Sequence, residues 1–144
     1  MADTSKLNKV TKYILGELGK DLDTEFVQKK VKVGSKGAER KFSGVSIDSN
    51  IIIRICHHSG RTKSKNLPVG TINSLYAKCY LMEKAKAVEK YIYFTNKEFY
   101  EMFAKDSNGI IEGIELMPYE NLPIEYQEML DEVIKGASDE MITG

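Results

Sequence analysis

The run Ile51-Ile52-Ile53-Arg54-Ile55-Cys56 limits what this chain can become more than any other stretch. Its β-branched residues lose rotamer freedom in a helix and suit a pleated strand. Apolar side chains at successive positions, without alternation, mean that both faces of that strand are covered. Asp48-Ser49-Asn50 supplies a turn before it, and the breaker-rich HHSGRTKSKNLPVG supplies a loop after it. A central strand of this kind belongs in a sheet packed between helices.

The remaining pattern fills in that frame. Leu7, Val10, Ile14 and Leu18 form one helical stripe from about Thr4 to Leu18, with Asp3 or Thr4 as cap and Gly19 as stop. In FVQKKVKV, Val27, Val31 and Val33 alternate with polar residues, and RKFSGVSI follows a turn-like GSKGAE, so the two runs predict a hairpin. Ile72, Leu75, Tyr76, Cys79, Met82 and Ala85 predict a helix from Thr71 to about Lys90, followed by the strand YIYFT. Thr95 and Glu98 have capping-box spacing before a short helix, and IIEGIEL reads as an edge strand weakened by Gly113. A last helix opens at Pro123, buries Tyr126, Met129, Leu130, Val133 and Ile134, and stops at Gly136. The expectation is one α/β domain over residues 1–144, with a core over about 4–136, a frayed tail at 137–144 and a mixed sheet flanked by helices. A right-handed crossover through the long helix sets YIYFT beside the Ile51–Cys56 strand.

The formal net charge is zero, but its distribution is lopsided. From Gln28 to Asn66 ten Lys and Arg face Glu39 and Asp48, whereas from Glu101 onward Lys105 and Lys135 face eleven acids. Such asymmetry suggests a polyanion-binding face, although two solvated faces that neutralise each other give the same numbers. No apolar run approaches the roughly 20 residues of a bilayer span, and MADTSKLNKVTKY lacks the apolar core of a signal peptide. A cytoplasmic protein without a membrane partner is expected. Cys56 and Cys79, far apart and in apolar stretches, read as free buried thiols.

From Arg40 to Phe94 the chain resembles the restriction-endonuclease-like nucleases of the PD-(D/E)xK superfamily in element order and wording. In that family a strand with a phrase close to FDxVS carries an acidic metal ligand, and the next strand carries E-x-K before a polar loop, a helix and a strand. Here Phe42-Ser43-Gly44-Val45-Ser46 precedes Ile51–Cys56. Ser43 stands where the resemblance implies Asp, Arg54 where it implies Glu, and Cys56 where it implies Lys. Carboxylates in such a site hold divalent cations against the scissile phosphate, and the lysine helps position the attacking water. A guanidinium stays protonated and repels Mg²⁺, yet binds phosphate in a bidentate fork. The resemblance therefore implies a nuclease core without catalytic residues or a cofactor. Its expected nucleic-acid contacts are Arg54, His57, His58, Arg61, Lys63 and Lys65.

Three other readings stand beside that one. An active Mg²⁺-dependent nuclease would need displaced ligands, with Glu25 and Asp48 as the nearest acids, although Asp48 also reads as a turn residue. Lys78 could stand in for the missing lysine, or simply face solvent. Cys56, His58 and Cys79 suggest zinc, but two Cys and two His in all fall short of the paired spacing that closed sites use. The acidic C-terminal half could instead meet a basic protein partner or a second copy of the chain. SGRTKSK lacks the spacing of a nucleotide-binding loop, and no aromatic platform for single-stranded bases stands out.

Overall fold

The computed structural model describes residues 4–58 and 69–143. Four helices, α1 (Thr4–Asp21), α2 (Val69–Glu83), α3 (Lys97–Ser107) and α4 (Ile124–Thr143), accompany seven strands in the described residues. The strands are β1 (Phe26–Val27), β2 (Lys30–Val33), β3 (Ala38–Lys41), β4 (Gly44–Ser46), β5 (Ile51–Cys56), β6 (Glu89–Phe94) and β7 (Glu115–Pro118). Five form one mixed sheet in the order β1-β4-β5-β6-β7, and β2 and β3 form a separate ribbon. Pairing is antiparallel from β1 to β5 and parallel from β5 to β7. The chain is thus an α/β domain with a mixed sheet between helices.

The Ile51–Cys56 strand is central and its faces diverge as its apolar run requires. Ile52 and Cys56 pack with Leu75, Cys79 and Met82 of α2 and with Phe99 and Phe103 of α3. Ile53 and Ile55 pack on the other face with Val10, Ile14 and Leu18 of α1 and with Leu130 of α4. Each such fully buried aliphatic contributes about 1.5–3 kcal/mol of transfer free energy. α1 and α4 also meet through Tyr13 and Tyr126, stacked at 4.5 Å, and a Lys6–Glu132 ion pair. YIYFT extends back to Glu89 and lies parallel to β5, with Ile53 opposite Tyr91.

Several local expectations are displaced. The predicted hairpin divides: Val27 faces Val45 in the main sheet, whereas Lys30 faces Lys41 in the ribbon. Between those pairs Gln28 and Lys29 oppose Phe42, Ser43 and Gly44, so the second arm carries one extra residue. An unequal count of this kind bends a ribbon and ends its ladder. Gly19 does not stop α1, which continues to Asp21; a Cβ there would lie 2.6 Å from the Thr24 carbonyl oxygen, so it permits a close backbone approach. The N-cap of α3 is Asn96 rather than Thr95, its side chain accepting from Phe99 N at 2.8 Å. α2 ends at Glu83, not Lys90, and α4 does not stop at Gly136 but runs on to Thr143. β7 starts only beyond Gly113, whose φ is +80°.

Candidate functional site: the end of the central strand

Alternation at the end of β5 sends neighbouring side chains to opposite faces. Arg54 and Cys56 project toward α2, and His58 beyond them lies with its ring centroid 6.1 Å from that of Phe99. His57 projects the other way, toward α1 and α4. The two histidines therefore belong to different surroundings and do not act as one pair.

Arg54 is half-buried on the α2 face, its guanidinium carbon 5.8 Å from the Phe42 ring centroid. Its Nε is buried and has no hydrogen-bond partner among the described residues. Burial lowers the pKa of the guanidinium, with the Cys79 and Cys56 thiols opposing the shift. Among the described residues no carboxylate forms an ion pair with it. Lys78 of α2 is close enough to pull the Cys56 thiol down and to push His58 below its ordinary value. Burial nevertheless dominates both cysteines: Cys56 is raised and Cys79 is pushed up to about 12, so both remain neutral thiols. Glu83 is near enough to act on Cys79, but a half-buried cation that no carboxylate pairs among the described residues attracts anions and repels divalent metals.

Ser43 reaches this region from the neighbouring segment without joining Arg54. Its hydroxyl accepts from Ile55 N at 3.0 Å, on the backbone between Arg54 and Cys56. The extra residue in the hairpin turns Phe42, rather than Ser43, over Arg54. Ser43 instead lines a groove of about 940 Å³ with Thr11 and Lys12 of α1 and with Glu25. Glu25 therefore shares a groove with Ser43. Asp48 lies at the opposite end of β5, where it accepts from Ser46 Oγ at 2.7 Å and from Asn50 N at 3.0 Å. These bonds hold its carboxyl below the usual range and fix the turn through Ser49, whose φ is +63°. Among the described residues no three His, Cys, Asp or Glu side chains converge as a metal-ligand group. Arg61, Lys63 and Lys65 lie outside the described residues.

His57, expected from the sequence as a nucleic-acid contact, is held between Thr11 and Thr95, two partners that the sequence did not indicate. Thr95 donates its hydroxyl to Cys56 O at 3.2 Å, so its oxygen is left to accept from His57 Nδ1 at 3.1 Å. Nε2 then carries the lone pair and accepts from Thr11 Oγ1 at 3.0 Å. Burial, with His58 adding to it, pushes the imidazole down to about 4 and keeps it neutral. The ring forms one wall of a groove of about 360 Å³ at the carboxyl ends of β5, β6 and β7, opposite Gln127 and Asp131.

A second missed feature is the continuation of the basic face beyond α2. Lys86 N donates to Lys32 O and Gly34 N to Lys84 O, both at 2.9 Å, so Lys84 and Lys86 flank β2. The alternation Lys84-Ala85-Lys86-Ala87-Val88 is the sequence signal for that extended segment. No helix among the described residues is long and apolar enough to cross a membrane. Family models, curated proteins and solved structures give no match to this chain.

Proposed function

We propose that the chain is a nuclease-like domain without cutting chemistry that binds the nucleic-acid backbone. The observation that carries this reading is Arg54, a half-buried guanidinium with an unpartnered Nε and no carboxylate ion pair among the described residues. Burying such a cation unpaired is costly unless an anion completes the site, and a phosphate oxygen suits the fork of a guanidinium. Lys78 adds positive charge on the same side. Support also comes from the order of elements, in which the antiparallel β4–β5 pair is followed by a helix and a parallel strand beside β5. That order matches what the resemblance to PD-(D/E)xK nucleases implies.

In this reading Arg54 and Cys56 keep the strand positions of a nuclease site, Ser43 is turned to the neighbouring groove, and affinity moves from metal to phosphate. Binding is largely independent of sequence, because backbone contacts carry no base information. Neither Glu25, in a different groove side, nor Asp48, committed to its turn, reaches Arg54 to rebuild a two-carboxylate centre.

The test is binding of the full chain to labelled duplex DNA, duplex RNA and single strands across a salt series, with Mg²⁺ and Mn²⁺ in parallel. Salt-sensitive binding that Arg54→Gln weakens about tenfold or more is expected, from the strength of charged hydrogen bonds. Metal-dependent cleavage would overturn the non-catalytic reading, and an unaffected Arg54→Gln variant would remove the cleft from the interface.

A further inference from the structure

One cross-strand pair of the β2–β3 ribbon works against the ribbon's own stability, although Lys32 faces Glu39 in the next pair. Val31 and Val33 turn inward to the α2-side core, and Lys30 and Lys32 turn outward. Lys41 stands directly opposite Lys30. Like charges directly opposed across a ladder are destabilising, and no ion pair to a carboxylate relieves either lysine among the described residues. All of β3 is exposed, and its outer edge has no strand partner among the described residues. The other edge of the ribbon is fixed, because β2 is tied to the segment after α2 through Lys32, Gly34 and a Val33–Ala85 bridge. The result is a basic ribbon, free on one side and braced on the other, with Lys84 and Lys86 exposed beside it.

We infer that this ribbon, with Lys84 and Lys86, is a docking surface for duplex nucleic acid held through its phosphates. A two-stranded ribbon matches the roughly 12 Å width of a B-form major groove, whose walls are two phosphate chains. An acidic protein is a poorer fit, because protein interfaces have an apolar centre and the two valines of β2 face the core. Single strands are disfavoured as well: residues 30–41 include no aromatic side chain on which a base could stack, and the exposed Tyr80 ring beside Lys84 lies 5.6 Å from that lysine's Nζ and is one ring rather than a run of them. The inference rests on the nucleic-acid reading above but assigns the duplex to a surface separate from Arg54.

The experiment measures affinity of the full chain for a labelled duplex and for one of its strands over a monovalent salt series. The proteins are the wild type, the triple variant K30Q/K32Q/K41Q, and R54Q with and without that triple change. The triple variant is expected to lower the slope of log affinity against log salt by about 3 for the duplex, near 0.9 per lost phosphate contact. It should lower the slope equally in the R54Q background and less for the single strand. Glu39→Lys, opposite Lys32, should raise duplex affinity and slope, a gain that misfolding cannot produce. An unchanged slope in the triple variant overturns the inference, as does polyglutamate competing as well as duplex at equal charge. A slope that falls while R54Q has no effect leaves the ribbon standing and removes the cleft; absence of duplex binding at low salt removes both.

Discussion

The guanidinium carbon of Arg54 stands 5.8 Å from the centroid of the Phe42 ring, in place of the carboxylate that a half-buried cation would ordinarily find. A partly desolvated cation–π contact returns about 2 kcal/mol, whereas a buried donor left unmade costs about 1–3 kcal/mol. The two nearly cancel, so Arg54 contributes little to the fold. Arg54→Met, which keeps the length and removes the charge, is expected to leave stability unchanged or raise it by about 1 kcal/mol in urea unfolding. The same variant should bind duplex at least about tenfold more weakly. A loss of 2 kcal/mol or more, roughly the cost of breaking a buried partnership, would identify Arg54 as a structural residue instead.

The Thr11–His57–Thr95 chain makes stability depend on pH. The folded pKa of His57, near 4, lies below the unfolded value of about 6.5. Between those values the unfolded state binds more protons, so stability rises with pH across that window. It is complete above about 6.5 and is lost as pH falls through 4, with an amplitude of the order of 3 kcal/mol. His57→Gln, which can keep one donor and one acceptor for the two threonines, should flatten this part of the curve. Equilibrium unfolding at several pH values measures the effect; an imidazole that titrates near 6.5 by NMR would refute the buried, neutral assignment.

Two glycines of α1 predict opposite outcomes for the same substitution. A Cβ at Gly16 meets nothing within 4 Å, so Gly16→Ala should stabilise the helix by about 0.5–1 kcal/mol. At Gly19 the Cβ would lie 2.6 Å from the Thr24 carbonyl oxygen, a backbone atom that cannot rotate away. Gly19→Ala should therefore cost about 1–3 kcal/mol despite the better helix propensity of alanine. Thermal unfolding of the two variants side by side checks the sign of each, and a stabilising Gly19→Ala would mean that the α1–β1 turn relaxes freely.

The periodic elements were legible because burial writes itself into spacing. Ile52 and Ile53 pack on opposite faces as an unbroken apolar run demands, and Ile72, Leu75, Cys79 and Met82 form the stripe read from the sequence. What misled was local chemistry with two meanings. Gly19 reads as a stop, but a glycine also permits close approach, and only the position of Thr24 decides. Thr95 reads as a cap, but its hydroxyl is committed to Cys56 and His57, and Asn96 caps instead. The site was less legible than the fold. The extra residue at Phe42–Gly44 turns Phe42, not Ser43, over Arg54, and a one-residue offset between hairpin arms has no signature in either arm alone.

The nuclease-like reading makes a constructive prediction. If Ser43, Arg54 and Cys56 occupy the positions of a lost metal centre, then S43D, R54E and C56K together should create affinity for Mn²⁺ or Mg²⁺. Ser43 Oγ lies 3.0 Å from Ile55 N, on the backbone between the other two changes, so the longer aspartate has to turn from the Ser43 groove toward the Arg54 face to complete the centre. S43D and R54E lower the local charge by three units and C56K restores one, a net change of two that, unlike R54E alone, supplies two carboxylates able to ligate a cation. A metal that binds only the folded state raises the unfolding temperature with its concentration. The triple variant is therefore expected to show an Mn²⁺-dependent rise in unfolding temperature that the wild type and R54E alone lack. The first measurement is thermal unfolding with Mn²⁺ titrated through the millimolar range, followed by calorimetry to count bound ions. A triple variant that folds, as its circular dichroism would report, and remains indifferent to Mn²⁺ would show that these three positions do not converge, and the alignment with a nuclease centre would fail with it.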